Sequence, residues 1–377
     1  MATIAWYVSG HGFGHASRDI EVLNELGRQR PDIAVTIRTP APRWIFDLTL
    51  TRPIDWRPRE SDTGVVQLDS LRLDAAETIR RAEEFHRTLD AEAESEAAWL
   101  REEGATLVVG DIPPLAFAAA ARAGIPSVAL GNFTWDWIYD GYREELSTAS
   151  ALLPTIREAY SHAALALRLP MAGGFDMFAR VEDLPFIARR ARRKPADVRR
   201  QLQLPDDQPL VLVSFGGYGL SQIDLTRLST LVGYTIVLTA DVTSSRRGDD
   251  PPALDRVLLP GNIVQVDERA LYSSGLRYED LVGAVDIVVT KPGYGIVAEC
   301  VANDTAILYT SRGHFVEYDV LVREMPRWLR TEFISNEDLL GGRWQDGLDR
   351  LRKAPPPPET IATDGAERAV GWIAGMI

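Results

Sequence analysis

Short apolar runs alternate with amphipathic stretches along nearly the whole chain, and that alternation leaves few folds open. In the first half the strand-like runs cover residues 4–8, 33–39, 64–68, 106–110, 127–130 and 164–169. In the second half they cover residues 210–214, 235–239, 263–266, 287–290 and 306–310. Strands separated by helices form parallel sheets, with the helices as crossovers on the sheet faces. One long helix is expected over about residues 75–103, with an apolar stripe of Ile79, Ala82, Phe85, Leu89, Ala93 and Leu100 and a stop at Gly104. At 377 residues the chain has room for two domains. Composition turns from glycines to arginines to Pro205-Asp206-Asp207, which predicts a domain over 1–175, a linker over 176–205 and a second domain over 206–354. Residues 355–377 read as a proline spacer and a closing helix carrying Val370, Trp372, Ile373 and Met376.

Composition removes several classes of function. Hydrophobic residues at 45% and charged residues at 25% are those of a soluble globular protein, and no apolar stretch is long enough to span a membrane. The N-terminal apolar run has no basic segment before it and reads as a first strand, not a signal peptide. The single cysteine, Cys300, rules out an intramolecular disulfide and a cysteine-clustered metal site, so a cytoplasmic location is expected. A net charge of -13 argues against nucleic acid and anionic lipid as partners. The basic run from Arg189 to Lys194 is either a solvated face or a local patch for an acidic acceptor or lipid head group.

The first run drops straight into Ser9-Gly10-His11-Gly12-Phe13-Gly14-His15, and a helical stretch follows over 16–26. Strand, glycine loop and helix together expose backbone N–H groups and a helix N-terminus to an anionic ligand. A dinucleotide fingerprint fits poorly, because its third glycine would fall on His15 and the second run ends in Thr39-Pro40 without a ribose-binding acid. No P-loop occurs.

Further loops follow other strand ends, where open α/β sheets bind ligands. Gly110-Asp111-Ile112-Pro113-Pro114 releases a carboxylate that serves either the turn or the site. Ser214-Phe215-Gly216-Gly217-Tyr218-Gly219 offers hydroxyl and N–H donors to a phosphate. Thr290-Lys291-Pro292-Gly293-Tyr294-Gly295 leads into a helix from about Ile296. Glu299 in that helix either complements the helix dipole or accepts hydrogen bonds from two ribose hydroxyls. The run from Gly131 to Tyr139 includes Asn132, Trp135 and Asp136, which suit a sugar ring or cap a core. His314 and Glu317 follow the last strong run and could reach donor hydroxyls, reach phosphates or line a surface loop. No Asp-x-Asp pair is present to hold a divalent ion.

The pairing of His15 after its glycine loop with Gly293-x-Gly295-x-x-x-Glu299 resembles the GT-B glycosyltransferases. The nearest are the N-acetylglucosaminyltransferases that make lipid II. A closer similarity is to the glycosyltransferase-like N-terminal region of plant L-arabinokinases. It is carried by the residues from Gly10 to Arg18, the run Asn132 to Tyr139, and Lys291-x-Gly293-Tyr294-Gly295 with Glu299. The sugar-kinase half has no counterpart here, so kinase activity is not implied.

The resemblance implies an α/β protein of the GT-B class, with two Rossmann-like parallel-sheet domains facing across a cleft. It implies an inverting, metal-independent transferase of a hexosyl or pentosyl group, moved from a nucleotide-diphosphate sugar (a UDP-sugar) to the hydroxyl of a small-molecule or lipid-linked acceptor. No cofactor beyond the donor is expected. Alignment on the lipid II enzymes puts His15 in the catalytic position, with Asp111 orienting it; the loop itself leaves His11 open as the acting imidazole. Donor contacts are expected from Gly12, Gly14, Ser214, Gly216, Gly217, Gly293, Tyr294, Gly295, Glu299, His314 and Glu317. Acceptor contacts are expected from His11, Asn132, Trp135 and Asp136. A nucleotide-sugar hydrolase and a non-catalytic sugar-nucleotide-binding protein are the alternatives.

Overall fold

A computed structural model describes residues 2–216, 222–239, 261–266 and 268–377. Strands β1 (Thr3–Val8), β2 (Ala34–Thr39) and β3 (Asp55–Pro58) precede a hairpin of β4 (Val66–Gln67) and β5 (Leu73–Asp74). Then come β6 (Leu107–Asp111), β7 (Ser127–Phe133), β8 (Leu165–Gly173) and β9 (Val181–Asp183). Apart from the hairpin these form one parallel sheet in the order β3-β2-β1-β6-β7-β8-β9. A second parallel sheet holds β10 (Leu210–Ser214), β11 (Thr235–Leu238), β12 (Ile263–Gln265), β13 (Ile287–Thr290), β14 (Ala306–Tyr309) and β15 (Thr331–Phe333). Its order is β12-β11-β10-β13-β14-β15.

Both orders reverse direction once, between β1 and β6 and between β10 and β13. In an open sheet that reversal splays the following helices to opposite faces and leaves a crevice at the strands' carboxyl ends. The register places Val8 opposite Asp111 at one crevice and Ser214 opposite Thr290 at the other. The loops that follow Val8, Ser214 and Thr290 and the loop of Asp111 therefore all start at a crevice, and Asp111 itself ends β6.

Strands buried on both faces need apolar residues at every position. In β1, Ile4, Trp6 and Val8 face the helix Phe13–Gln29, whereas Ala5 and Tyr7 face the cluster beneath the helices Leu89–Glu102 and Pro114–Ala123. A fully buried side chain such as Ile4 contributes about 1.5–3 kcal/mol relative to exposure.

Besides adding the short strands β3, β5, β9 and β15, which no expected run covered, the structure departs from the sequence expectations elsewhere. The long helix is two, Ala75–Arg87 and Leu89–Glu102, divided at Thr88. The Thr88 hydroxyl donates to the Phe85 carbonyl at 3.1 Å, an alternative to the helical ladder. The run at 64–68 joins no parallel sheet; it supplies β4, and Asp69 turns the chain by accepting from the N–H groups of Leu71 and Arg72. The helix expected from Ile296 starts at Tyr294.

The chain also returns on itself. The Phe186 N–H donates to the Ala362 carbonyl at 3.2 Å, and the Gly365 N–H donates to the Phe186 carbonyl at 3.0 Å. The closing helix Gly365–Ala374 thereby lies on the helix Phe13–Gln29 of the first domain. Among the described residues no helix is long and apolar enough to cross a membrane.

Candidate active site

Gly12 is the N-cap of the helix Phe13–Gln29, with φ 71°, a backbone state that costs little only for glycine. It turns the chain so that His15 falls in the first helical turn, with Arg18 one turn further on the same face. His15 is buried, and its Nδ1 lies 3.0 Å from Asp111 Oδ2. The approach is close but not collinear, since Oδ2 has no aligned donor. An anionic oxygen there still favours the tautomer with its proton on Nδ1, leaving Nε2 basic. Arg18 Nη2 is 3.2 Å from the same Nδ1; both are donors in that tautomer, so the guanidinium bonds Asp111 Oδ1 instead. Burial pushes the Asp111 carboxyl up, but Arg18 and then His15 outweigh it and hold the pKa below the usual range.

From Arg18 a polar chain crosses the cleft. Arg18 Nη1 donates to Asn132 Oδ1 at 2.9 Å, and Asn132 Nδ2 donates to Glu317 Oε1 at 2.8 Å. Glu317 Oε2 accepts from Arg312 at 3.1 Å, and that guanidinium stacks on Phe315 with 4.1 Å from its carbon to the ring centre. Arg18 also lies over the ring of Tyr294, 5.2 Å from its centroid.

A second buried carboxylate stands near His15. Asp62 accepts from Ser9 Oγ at 3.1 Å and from Trp135 Nε1 at 3.0 Å, and burial raises its pKa to about 6. Asp19 is buried with both carboxylate oxygens unbonded, and burial together with Asp111 pushes its pKa well up. His11 accepts from the Val65 N–H on Nδ1 at 3.3 Å, which puts its proton on Nε2. Burial, then the Arg312 charge, holds this imidazole neutral by lowering its pKa well below 6.5.

On the opposite lobe, Gly293 caps the helix Tyr294–Asn303, and Arg312 Nη1 lies 3.9 Å from where a Gly293 Cβ would be. The two glycine loops meet: a Cβ on Gly295 would stand 3.7 Å from Gly14 Cα. A cavity at this meeting is lined by Gly14, Ser17, Arg18, Arg189, Gly295 and Glu299, among others. Glu299 is paired there with Arg189, whose Nε donates to Oε1 at 2.7 Å; burial raises the Glu299 pKa in spite of this partner. Ser214 ends β10 and shares a 2.5 Å hydrogen bond with the Tyr278 hydroxyl. Gly216 has φ 67°, and Gly217 lies outside the described residues.

His15, Asp111, Asn132 and Glu317 thus form one connected network, while Gly12, Gly14, Gly293, Tyr294, Gly295 and Glu299 cluster at the two helix starts. Three expected residues have other attachments. Trp135 is fully buried and stacked on Tyr139, Asp136 accepts from Arg157 at 3.0 Å, and the exposed His314 bonds the Gly141 carbonyl at 3.2 Å. Sequence reasoning assigned no role to Arg18 or Asp62, and it read Arg189 only within a basic run, as a solvated face or a patch for an acidic acceptor or lipid head group, whereas Arg189 is part-buried and paired with Glu299. Arg18 carried a signal, the three-residue spacing from His15; Asp62 sits in a polar loop and had none.

No family model matches the chain. It is 31% identical over 355 residues to L-arabinokinase of Arabidopsis thaliana, covering 93% of this chain but 32% of that protein, about a third of its length. Among solved structures, the glycosyltransferase of kitacinnamycin is similar with a TM-score of 0.60 and 16% identity, over 100% of this chain and 99% of the other. MurG of Acinetobacter baumannii has a TM-score of 0.52 and 14% identity, over 100% of both chains. UGT89C1 of Arabidopsis thaliana, complexed with UDP, has a TM-score of 0.59 and 12% identity, over 99% of both. Two parallel-sheet domains, each with its crevice turned to the other, and full-length likeness to these structures give the chain the GT-B fold.

Proposed function

We propose that this protein moves a sugar from a nucleoside-diphosphate sugar to a hydroxyl group of a second substrate, with inversion and without a metal ion. The observation that carries this reading is His15: its Nδ1 faces a buried aspartate, and its Nε2 makes no hydrogen bond among the described residues. Facing it across the cleft is the start of the helix Tyr294–Asn303. An imidazole so placed is a general base, and a bare helix start is an anion site.

In this reading the second domain holds the nucleotide. Glu299 takes the ribose hydroxyls through Oε2, since both Arg189 hydrogen bonds go to Oε1, and Ser214 with the N–H groups from Gly293 to Gly295 meets the diphosphate. The acceptor hydroxyl gives its proton to His15 Nε2 as its oxygen attacks the anomeric carbon from the face opposite the leaving diphosphate. The bond to the diphosphate breaks, and the helix N-terminus stabilises the released charge. Asp111 stabilises the imidazolium, and general-base transfer of this kind is worth about 10²–10⁴ in rate.

The test combines a binding screen against UDP-, dTDP- and GDP-sugars with product analysis for the best binder. Transfer to an added hydroxyl acceptor, reduced about 10²–10⁴-fold in His15→Ala with donor affinity unchanged, is the expected result. Undiminished turnover in His15→Ala removes the base. Release of free sugar at the same rate without acceptor makes the protein a hydrolase, and binding without turnover makes it a sensor.

A further inference from the structure

Among the described residues Asp19 alone is a buried carboxylate with neither oxygen hydrogen-bonded, and the reaction described above makes no use of it. It stands one turn after His15 on the same face of the helix Phe13–Gln29. Trp6 of β1 packs against that helix, and its indole N–H is also buried without an acceptor. Asp111 Oδ2, 3.0 Å from His15 Nδ1, is a third carboxylate oxygen with no aligned donor. The polar groups that act on Asp19 are Asp111, then Arg18, then the Trp6 N–H.

Two ionised carboxylates cannot match each other, because each only accepts. One proton changes this. A neutral Asp19 carboxyl donates its O–H to Asp111 Oδ2 and accepts the Trp6 N–H on its other oxygen. Three orphaned oxygens and an orphaned indole are then all matched, as buried polar groups require. The balance of charge points the same way. His15 and Arg18 on its own helix, Asp111 at the end of β6, Asp62 beyond His15 and Tyr294 across the cleft are the titratable groups of this cluster. Arg18 is the cation between Asp19 and Asp111, and its guanidinium already bonds Asp111 Oδ1. Tyr294 is a neutral phenol, its pKa raised by burial. A second buried negative charge beside Asp111 would be unpaired, and a group so placed keeps its proton instead. Burial, then the Asp111 charge, accordingly pushes the Asp19 pKa well up against the pull of Arg18.

We propose that Asp19 is a positioning residue for the base: as a neutral carboxylic acid it donates a hydrogen bond to Asp111 Oδ2 and fixes that carboxylate against His15 Nδ1. The inference rests on the sugar-transfer reading, in which His15 takes the acceptor proton. Asp111 is then held from three sides, by Arg18 on Oδ1 and by Asp19 and His15 on Oδ2. Held so, it stays in place while His15 Nε2 gains its proton, and the imidazolium that forms meets one fixed anion.

The experiment compares wild type, Asp19→Leu and Asp19→Asn, with thermal melts to establish folding. In infrared spectra at about pH 7, where most Asp62 is ionised, wild type should show the carbonyl stretch of a neutral carboxylic acid. The band should shift on exchange into deuterium oxide and be absent from Asp19→Asn. Nitrogen NMR of the His15 ring should show its proton on Nδ1 in wild type and Asp19→Asn, and a mixture of tautomers in Asp19→Leu. With the best-binding nucleotide sugar, Asp19→Leu should lower kcat about 10–100-fold at unchanged donor KM, the usual scale for removing a group that orients another. Asp19→Asn, whose amide N–H replaces the acid O–H, should recover most of that loss. No acid band lost in Asp19→Asn, a His15 ring unchanged in Asp19→Leu, or turnover equally poor in both variants overturns the assignment. If Asp19→Leu does not fold, the band and the turnover of Asp19→Asn decide it. If no nucleotide sugar is turned over, the sugar-transfer reading fails, while the band and the ring nitrogens still decide whether Asp19 carries the proton and holds Asp111.

Discussion

Asp111 does two things at once, and substitution separates them. It faces His15 and neutralises the buried Arg18 guanidinium, so Asp111→Asn should both misorient the His15 ring and leave a cation unpaired. Turnover is expected to fall about 10²–10⁴-fold. Stability is expected to fall by about 3–5 kcal/mol, the usual cost of removing one partner of a buried pair, measured by urea denaturation. Asp62 makes the opposite pH statement. Its folded pKa of about 6 lies above the usual carboxylate value, so the folded state binds more protons than the unfolded one between about pH 4 and 6. Stability from this group is present below pH 4 and lost as pH rises through 6. Asp62→Asn should therefore gain on wild type across that window, by at most about 3 kcal/mol, and parallel melting curves at every pH would refute it. At this scale the sequence was partly legible. His15, Asp111 and Glu317 were named because loops at strand ends are where ligands bind, whereas Asp62 acquires meaning only when the fold presses it against Ser9 and Trp135.

Among elements, what the sequence revealed and what it hid divide by position in the sheet. Every strand interior to a sheet was visible as an apolar run, because both of its faces are covered. Four strands were missed: β3, β9 and β15, which lie at the edges of the two large sheets, and β5 of the two-stranded hairpin; none has a fully buried residue. Edge strands such as Asp55-Trp56-Arg57-Pro58 carry charges and proline that discourage further pairing, which also erases the strand pattern. The glycine loop before the first long helix was legible for a backbone reason that can be tested. Nothing lies within 4 Å of a Cβ at Gly12, so Gly12→Ala would suffer only from its φ of 71°. A loss of about 1–2 kcal/mol is expected, with a misplaced first helical turn and weaker turnover. A variant as stable and active as wild type would show that the cap conformation is not needed.

For the whole molecule, two domains could be read from the alternation, but not how they are joined. The apolar stripe of the last helix does not say which surface it covers, and it covers the first domain's opening helix. The contact between the lobes seats Phe315 in the first domain's apolar cluster beside Phe133, and around it stand polar pairs that no hydrophobic pattern announces: Asn132 to Glu317, Arg18 over Tyr294, and His314 to Gly141. Glu317 is the member with most to lose, since it accepts from one lobe through Asn132 and from its own through Arg312. Glu317→Ala would strand a buried guanidinium and a buried amide together, costing about 3–5 kcal/mol. Glu317→Gln keeps one acceptor oxygen, enough for Asn132 or Arg312 but not for both, and should cost less than Glu317→Ala. If the Asn132–Glu317 bond joins the lobes, a double-mutant cycle of Asn132→Ala with Glu317→Ala should give a coupling of about 0.5–3 kcal/mol. Hydrogen exchange should then rise in both partners' segments, 129–134 and 311–317, in either single variant. Additive free energies, with exchange rising only around the substituted residue, would mean that the lobes are held without this bond, by contacts such as Phe315 in the first domain's cluster and by the closing helix.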